Sequence, residues 1–223
     1  AHKKILPYVN FTPLVHSQYL SKNSKVKLKL ENFQITGSFK LRGAVNKLLS
    51  LSEREKQQGV IAVSTGNHGK GVAYASKVLG IKSTIYMSSM VPNYRKEAIE
   101  NLGAKVEIVG KNSDEADLFA KQLSKEKNIT LIHPFDDEDI IIGQGTVGLE
   151  MLKEFPEVDT VIIPTSGGGL ISGIAQAIKL QKPDTKVIAV SMERGPSMYE
   201  SLKKGEPVDV DEIETLADCL GGS

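Results

Sequence analysis

The stretch N-F-Q-I-T-G-S-F-K-L-R-G-A, residues 32–44, carries the most information about this chain. It places Lys40 beside the aromatic ring of Phe39 in a turn bracketed by glycines. Residues 36–38 predict the end of an extended segment and the cap of a helix over 39–49, with the lysine in its first turn. Such a lysine serves covalent catalysis when it loses a proton, because only the neutral amine attacks a carbonyl. Taken alone, the stretch favours a solvated lysine on an amphipathic helix, since most lysines are exposed.

Length and composition narrow the class of protein. The chain has 223 residues, 40% hydrophobic and 25% charged, which is enough to bury a core and to form two lobes. A formal net charge of +1, without a basic stripe, indicates no nucleic-acid partner. No apolar run reaches the length of a spanning helix or a signal peptide, so no membrane association is predicted. The single cysteine, Cys219, excludes an internal disulfide and fits a reducing cytoplasm.

Short apolar runs alternate with helical patterns along the chain. Such continuous runs are typical of strands buried on both faces of a parallel sheet, and they occupy residues 60–63, 83–87, 105–109, 130–132, 160–163 and 186–190. Between residues 113 and 128, apolar side chains recur at helical spacing: Ala116, Phe119, Ala120 and Leu123. The sequence therefore predicts an open, doubly wound α/β fold whose ligands bind beyond the carboxyl ends of the strands.

The first glycine-rich turn, S-T-G-N-H-G-K-G, covers residues 64–71 between a predicted strand and a predicted helix. Backbone N–H groups and hydroxyls there suit a carboxylate or phosphate at the positive end of a helix dipole. The spacing is not that of a Walker A loop, which disfavours a nucleoside triphosphate. A tight turn alone would not need both Asn67 and His68, so the segment predicts an anion site.

The second turn, P-T-S-G-G-G-L-I-S-G, covers residues 164–173 and again joins an apolar strand to an apolar helix. Three consecutive glycines cost backbone entropy, so they mark a place where the backbone approaches something closely. Successive N–H groups can form a concavity for a phosphate. A second anion site is predicted here.

A third glycine pattern, G-Q-G-T-V-G at residues 143–148, matches a dinucleotide fingerprint. That fingerprint requires an acidic residue at the end of the next strand, and residues 160–163 run into Pro164 instead. Helix-to-sheet packing is the preferred interpretation, and no nicotinamide site is predicted.

Three segments in this order, residues 37–44, 64–69 and 166–170, resemble the fold-type II pyridoxal-phosphate enzymes, in particular the threonine dehydratase and serine racemase group. The resemblance runs from about Leu6 to the end of the chain. It implies pyridoxal 5′-phosphate as cofactor and two open parallel-sheet α/β domains. The larger, cofactor-binding domain would comprise residues 1–58 and 135–223, and a smaller mobile domain would comprise 59–134.

The resemblance also implies roles for individual residues. Lys40 would be the Schiff-base lysine and would carry the α-proton, with Phe39 near a face of the cofactor ring and Asn67 bonded to its phenolic oxygen. The phosphate would lie in a cradle formed by Ser166, Gly167, Gly168, Gly169 and Leu170. The substrate carboxylate would be received by Ser64, Thr65, Asn67 and His68.

The implied reaction is α,β-elimination from L-threonine or L-serine, giving 2-oxobutanoate or pyruvate and ammonia in a cytoplasmic homodimer. A serine racemase and a shortened, non-catalytic relative that binds cofactor or amino acid are the alternatives. Serine racemases carry a serine at the position of Thr65, which argues against racemisation. No metal site is expected, because Ser191 stands where many relatives have a glutamate. Residues 190–195 are similar to dehydratases of hydroxyectoine utilisation, and the chain is expected to be truncated at its C-terminus.

Overall fold

The computed structural model describes residues 1–193, 195–208, 210, 215–217 and 220; Arg194 and Cys219 lie outside the described residues. The chain divides into two compact units, Ala1–Pro134 and Phe135–Ser223. One boundary of the predicted domains thus coincides with a boundary between units. The assignment of residues 1–58 to the larger domain stays a prediction.

The first unit contains a small hairpin and a four-stranded parallel sheet. Its helices are α1 (His2–Ile5), α2 (Lys40–Ser50), α3 (Glu53–Gln58), α4 (Asn67–Leu79), α5 (Asn93–Glu100) and α6 (Ser113–Lys127). Its strands are β1 (Leu14–His16), β2 (Lys27–Lys29), β3 (Val60–Val63), β4 (Ser83–Met87), β5 (Lys105–Ile108) and β6 (Thr130–Leu131). Strands β1 and β2 pair antiparallel, and the parallel sheet has the order β5-β4-β3-β6.

The apolar patterns explain how helix α6 packs against this sheet. Ala116 and Ala120 are fully buried, and Ala120 forms a cluster with Ile61 of β3 and Tyr86 of β4. The ring of Phe119 meets Tyr86 edge-on at a centroid distance of 5.2 Å. The predicted helical spacing over 113–128 is therefore confirmed, and it covers one face of a sheet of apolar strands.

Helix α2 begins one residue later than predicted and lacks the predicted cap. Phe39 occupies the N-cap position with helical angles, φ −58° and ψ −21°, and no side chain caps the helix. The hydroxyls of Thr36 and Ser38 are buried and have no hydrogen-bond partner among the described residues. The prediction that residues 36–38 cap the helix is wrong, because the chain already turns helically at Phe39.

The second unit comprises α7 (Glu138–Glu154), β7 (Thr160–Pro164), α8 (Gly169–Lys179), β8 (Lys186–Val190) and α9 (Ser197–Lys204). Strands β7 and β8 pair in parallel, with Ile162 opposite Ile188. Ile162, Ile188 and Val190 lie on one face and are 67%, 43% and 45% exposed. The prediction that both faces of these two strands are buried is wrong for this unit, where that face is open.

The third glycine pattern, residues 143–148, lies inside helix α7 and packs against helix α8. A Cβ on Gly145 would lie 2.7 Å from the carbonyl oxygen of Gly173, and one on Gly148 would lie 3.2 Å from that of Ile174. The close contact is therefore between two helices, and the predicted helix-to-sheet packing is wrong. Small residues at these positions let the two backbones approach each other.

We expect Gly173→Ala to destabilise the protein. Its Cβ would lie 2.2 Å from the carbonyl oxygen of Ile141 and 2.7 Å from the nitrogen of Gly145, so α7 and α8 would have to separate. Overpacking of this kind costs about 1–3 kcal/mol and outweighs the better helix propensity of alanine. Urea unfolding measures the loss. The exposed neighbour provides the control: Ser172→Ala should change stability by less than about 0.5 kcal/mol, and equal effects would refute the packing argument.

Candidate active site

Lys40 lies in the first turn of α2 with a defined hydrogen-bond partner. Its Nζ donates to the carbonyl oxygen of Pro134 at 2.7 Å and lies 5.4 Å from the centroid of the Phe39 ring. The side chain is half-buried. The lysine predicted from residues 32–44 is thus held against the protein rather than extended into solvent.

Helix α4 fixes the backbone of this lysine from the other side. A Cβ on Gly71 would lie 3.1 Å from the carbonyl carbon of Lys40 and 3.1 Å from the nitrogen of Leu41. Only glycine lets α4 come this close without displacing its neighbour. Helix α4, which begins with Asn67 and His68 of the asparagine-histidine turn at residues 64–69, therefore sets the position of the first turn of α2.

Ser64 organises the turn at residues 64–69. Its Oγ accepts hydrogen bonds from the N–H groups of Gly66, at 3.2 Å, and Gly69, at 2.8 Å. In both bonds the hydroxyl oxygen of Ser64 is the acceptor, so its hydroxyl proton can still be donated to another group. Ser64 was predicted as a substrate ligand, and the structure gives it a role in shaping the turn that the sequence did not indicate.

His68 is buried and joins the turn to the segment that follows β6. Its Nε2 lies 2.9 Å from the carbonyl oxygen of Ile132, so this nitrogen carries the proton and donates. Burial, and to a smaller extent the neighbouring charge of Lys40, lowers the pKa of His68 to about 3. The imidazole is therefore neutral at physiological pH and adds no positive charge next to the lysine.

The first unit brings several predicted site residues to one segment, residues 132–134. Lys40 and His68 donate to carbonyl oxygens two residues apart, and the sheet places the turn after β3 beside the end of β6. Thr65 and Asn67 are half-buried in the same turn. These backbone acceptors were not predicted, because a carbonyl leaves no mark in a side-chain pattern.

The second glycine loop precedes helix α8 in the second unit. Gly168 takes the N-cap position with φ 84°, and no side chain caps the helix. Among the described residues, none accepts a hydrogen bond from the N–H groups of Gly167, Gly168, Gly169 or Leu170. Four donors at the positive end of an 11-residue helix are available to an anion, and the cradle at residues 166–170 stays a prediction.

Phe135 and Met198 pack against the same loop. A Cβ on Gly167 would lie 2.5 Å from the Phe135 ring, and one on Gly169 would lie 2.7 Å from the Phe135 carbonyl oxygen. A Cβ on Gly168 would lie 2.8 Å from Cε of Met198. The close approach expected of three glycines is therefore made to the protein's own side chains, which support the loop.

Across the described ranges, no group of three His, Cys, Asp or Glu side chains is placed to hold a metal ion. The described helices include none long and apolar enough to cross a bilayer.

Fold and site define an α/β protein with an amine beside one glycine turn and a second glycine loop open to an anion. The chain belongs to the pyridoxal-phosphate dependent enzyme family, whose profile matches residues 5–223. This confirms the resemblance, the fold-type II architecture and the cofactor inferred from residues 37–44, 64–69 and 166–170.

Individual relatives agree with this assignment. The chain is 46% identical to a catabolic L-threonine dehydratase of Staphylococcus aureus over 221 residues, covering 98% of this chain and 64% of that protein. Threonine deaminase isoform 2 of Solanum lycopersicum, in its processed form, superposes with a TM-score of 0.91 at 38% identity, covering 95% of this chain and 62% of that one. Maize serine racemase superposes with a TM-score of 0.93 at 34% identity, covering 98% and 67%. The chain thus spans about two thirds of the length of the relatives that it matches.

The residues present fit the chemical groups of pyridoxal phosphate. The N–H groups of residues 167–170 match a phosphate, because they are donors at a helix N-terminus for which the described part of the chain offers no acceptor. Lys40 supplies a primary amine for an aldehyde, and Asn67 supplies an amide for a phenolic oxygen. Each part of the donor set has a counterpart on the cofactor.

We expect Ser64→Ala to loosen the turn at residues 64–69. The substitution leaves the N–H groups of Gly66 and Gly69 without their acceptor, at a cost of about 1–3 kcal/mol if water does not replace it. Hydrogen exchange of the two amides should accelerate at least about tenfold, since each 1.4 kcal/mol of lost protection is a factor of ten. Thr65→Val is the matched control and should leave both amides protected, whereas unchanged exchange in Ser64→Ala would contradict the role.

We expect acid to weaken the fold through His68. The pKa of this residue is about 3 in the folded protein and 6.5 in an unfolded chain, so below pH 6.5 the unfolded chain binds the proton first. Stability is retained above pH 6.5 and should fall by about 2 kcal/mol on going to pH 5. Urea unfolding at pH 7.5 and 5.0 measures this difference.

His68→Gln keeps a donor for the Ile132 carbonyl and removes the titration, so it should lose less stability over this pH range than the parent. His16→Gln, at an exposed position of β1, should retain the full pH dependence. The same pH dependence in parent and His68→Gln would show that His68 does not contribute.

Proposed function

We propose that the protein is a pyridoxal-phosphate-dependent dehydratase. Its substrates would be L-threonine and L-serine, and its products 2-oxobutanoate or pyruvate together with ammonia. The proposal is supported chiefly by the position of the Lys40 amine: it donates to Pro134, two residues beyond the carbonyl that binds His68 of the asparagine-histidine turn. The names of the Staphylococcus and Solanum relatives point to the same reaction.

Pyridoxal phosphate, when bound, supplies an electron sink that acidifies the α-proton of an amino acid. Lys40 would hold the cofactor and move that proton at Nζ. The carbonyl of Pro134 is a neutral acceptor, so it can orient the amine in either protonation state, whereas a carboxylate would favour the ammonium form. Phe39 would lie near a face of the cofactor ring.

The two glycine segments would bind the anionic groups. Ser166, Gly167, Gly168, Gly169 and Leu170 would hold the phosphate of the cofactor. In the turn at 64–69, Asn67 would hydrogen-bond the phenolic oxygen and, with Ser64, Thr65 and His68, receive the substrate carboxylate. The neutral His68 would contribute by fixing the turn and by hydrogen bonding, since it carries no charge to attract the carboxylate.

The smaller domain proposed for residues 59–134 would close over the substrate and exclude water from the carbanionic stage of the reaction. A cytoplasmic location is supported by the single cysteine, and a homodimer by the prevalence of twofold assemblies among soluble proteins.

Serine racemisation is the second candidate. It is favoured by the likeness to maize serine racemase, at a TM-score of 0.93. Racemisation requires an acid or base on the second face of the substrate. Serine racemases carry a serine for this purpose where this chain has Thr65, whose β-branched side chain is bulkier, so elimination is the preferred reaction.

Product analysis of the full-length protein supplied with pyridoxal phosphate tests the proposal. L-Threonine or L-serine should yield 2-oxobutanoate or pyruvate, measured by reduction with lactate dehydrogenase, and ammonia in equal amount. Formation of D-serine without oxo acid would favour the racemase instead. If the protein binds cofactor but converts neither amino acid, the non-catalytic relative is the correct assignment.

Lys40→Ala should abolish turnover and the covalent attachment of cofactor, because the amine is removed. Borohydride treatment followed by peptide mass spectrometry locates the attachment. Lys70→Ala, in the same glycine turn, is the control and should retain the adduct on Lys40. Full activity in Lys40→Ala would refute the assignment of the lysine.

A further inference from the structure

Arg42, two residues after Lys40, is fully buried in the first turn of α2. Its guanidinium forms a two-pronged ion pair with Glu31: Nε donates to Oε2 at 2.9 Å, and Nη2 donates to Oε1 at 2.8 Å. The Glu31 side chain is 15% exposed. A planar fork of this kind fixes both the distance and the orientation of the two side chains, which a point charge would not do.

Thr12 connects this ion pair to the start of the chain. Its hydroxyl donates to Oε1 of Glu31 at 2.5 Å, and the threonine is fully buried. Arg42 Nη2 also lies 3.4 Å from Thr12 Oγ1 and 3.4 Å from the carbonyl oxygen of Asn10. The carboxylate therefore receives three donors, and the ion pair holds residues 10–12 against α2.

Gln34 makes a second connection to the same segment. Its Oε1 accepts from the N–H of Asn10 at 2.8 Å, and its Nε2 donates to the carbonyl oxygen of Asn10 at 2.9 Å. Gln34 thus fixes one end of the segment 31–34 to Asn10, and Glu31 fixes the other end to Arg42. Only residues 35–39 lie between, so the backbone that enters Lys40 has little freedom.

An ion pair at this depth is a poor source of stability. Removing two charges from water costs several kcal/mol per ion, and apolar replacements of similar volume are often as stable. The ion pair is better explained by the residues whose position it fixes than by a contribution to the free energy of unfolding. The residue that its geometry controls most directly is Lys40, because Lys40 and Arg42 share one helical turn.

We propose that Arg42 is a positioning residue for Lys40. The Arg42–Glu31 pair holds the first turn of α2 where the Lys40 amine donates to the Pro134 carbonyl and would be presented to the aldehyde of pyridoxal phosphate. The neutral amine would bond to the aldehyde carbon and give up its two hydrogens, with which the aldehyde oxygen would leave as water. This inference rests on the proposed function for the identity of the aldehyde.

The experiment measures the rate at which pyridoxal phosphate becomes attached to Lys40, trapped with borohydride and located by peptide mass spectrometry. Two altered proteins are compared with the parent. The double variant Glu31→Leu with Arg42→Met replaces the pair by apolar side chains, and Glu31→Gln keeps an acceptor while removing the charge. Glu53→Gln is the matched control, because it makes the same chemical change in the exposed Lys56–Glu53 pair of α3, at 2.8 Å.

We expect attachment to slow at least about tenfold in the double variant and by a smaller factor in Glu31→Gln, with Glu53→Gln unchanged. Urea midpoints and circular dichroism confirm that each protein compared is folded, since a purely structural role would move these and leave the rate in folded molecules alone. Attachment at the parental rate in a folded double variant overturns the proposal. If the double variant does not fold, a parental rate in Glu31→Gln overturns it.

The outcome also separates this inference from the proposed function. If the parent protein acquires no adduct on Lys40, both the positioning role of Arg42 and the proposed function are refuted. A parent that acquires the adduct but produces no oxo acid removes the dehydratase assignment, while slower attachment in the two variants still supports the positioning role.

Discussion

The close approach of helices α2 and α4 at Gly71 is the constraint on which the rest of the site depends. A Cβ at position 71 would lie only 3.1 Å from backbone atoms of Lys40 and Leu41, closer than ordinary van der Waals contact. The same helix α4 carries His68 in its first turn, so one packing contact sets the separation between the lysine and the asparagine-histidine turn. A larger residue would move both elements at once, because the interior transmits a displacement rather than absorbing it.

The segment at residues 132–134 contacts both Lys40 and His68. The carbonyls of Ile132 and Pro134 orient His68 and Lys40 without placing a charge beside either. A neutral acceptor suits the proton transfer proposed for Lys40, since a carboxylate would stabilise one of the two protonation states strongly. The neutral imidazole completes this arrangement, because burial keeps its pKa at about 3.

The fold, and the two glycine-rich segments proposed for the site, could be predicted because their signals are local. Apolar runs mark the strands, and glycine-rich turns after β3 and β7 fall at the carboxyl ends of parallel strands, where ligands bind. The missed features are pairings between distant residues or contacts of the backbone. Arg42 and Glu31 are separated by 11 positions, and no repeating pattern in the sequence indicates that they form an ion pair. The packing partner of the glycines in α7 was predicted wrongly. Their spacing fits packing against either a sheet or a helix, and the structure places Gly173 of α8 opposite them.

The glycine loop at 167–169, proposed to bind phosphate, is supported by side chains of its own unit. Its N–H groups have no acceptor within the described chain, so forming the loop gives up hydrogen bonds that an ordinary turn would make. Glycine adds a further entropic cost at each position. Contacts with Phe135 and Met198 offset part of both, since they bury apolar surface against the loop. The loop can therefore remain open to an anion while the side chains behind it maintain its shape, which makes Phe135 as much a part of the cradle as the glycines themselves.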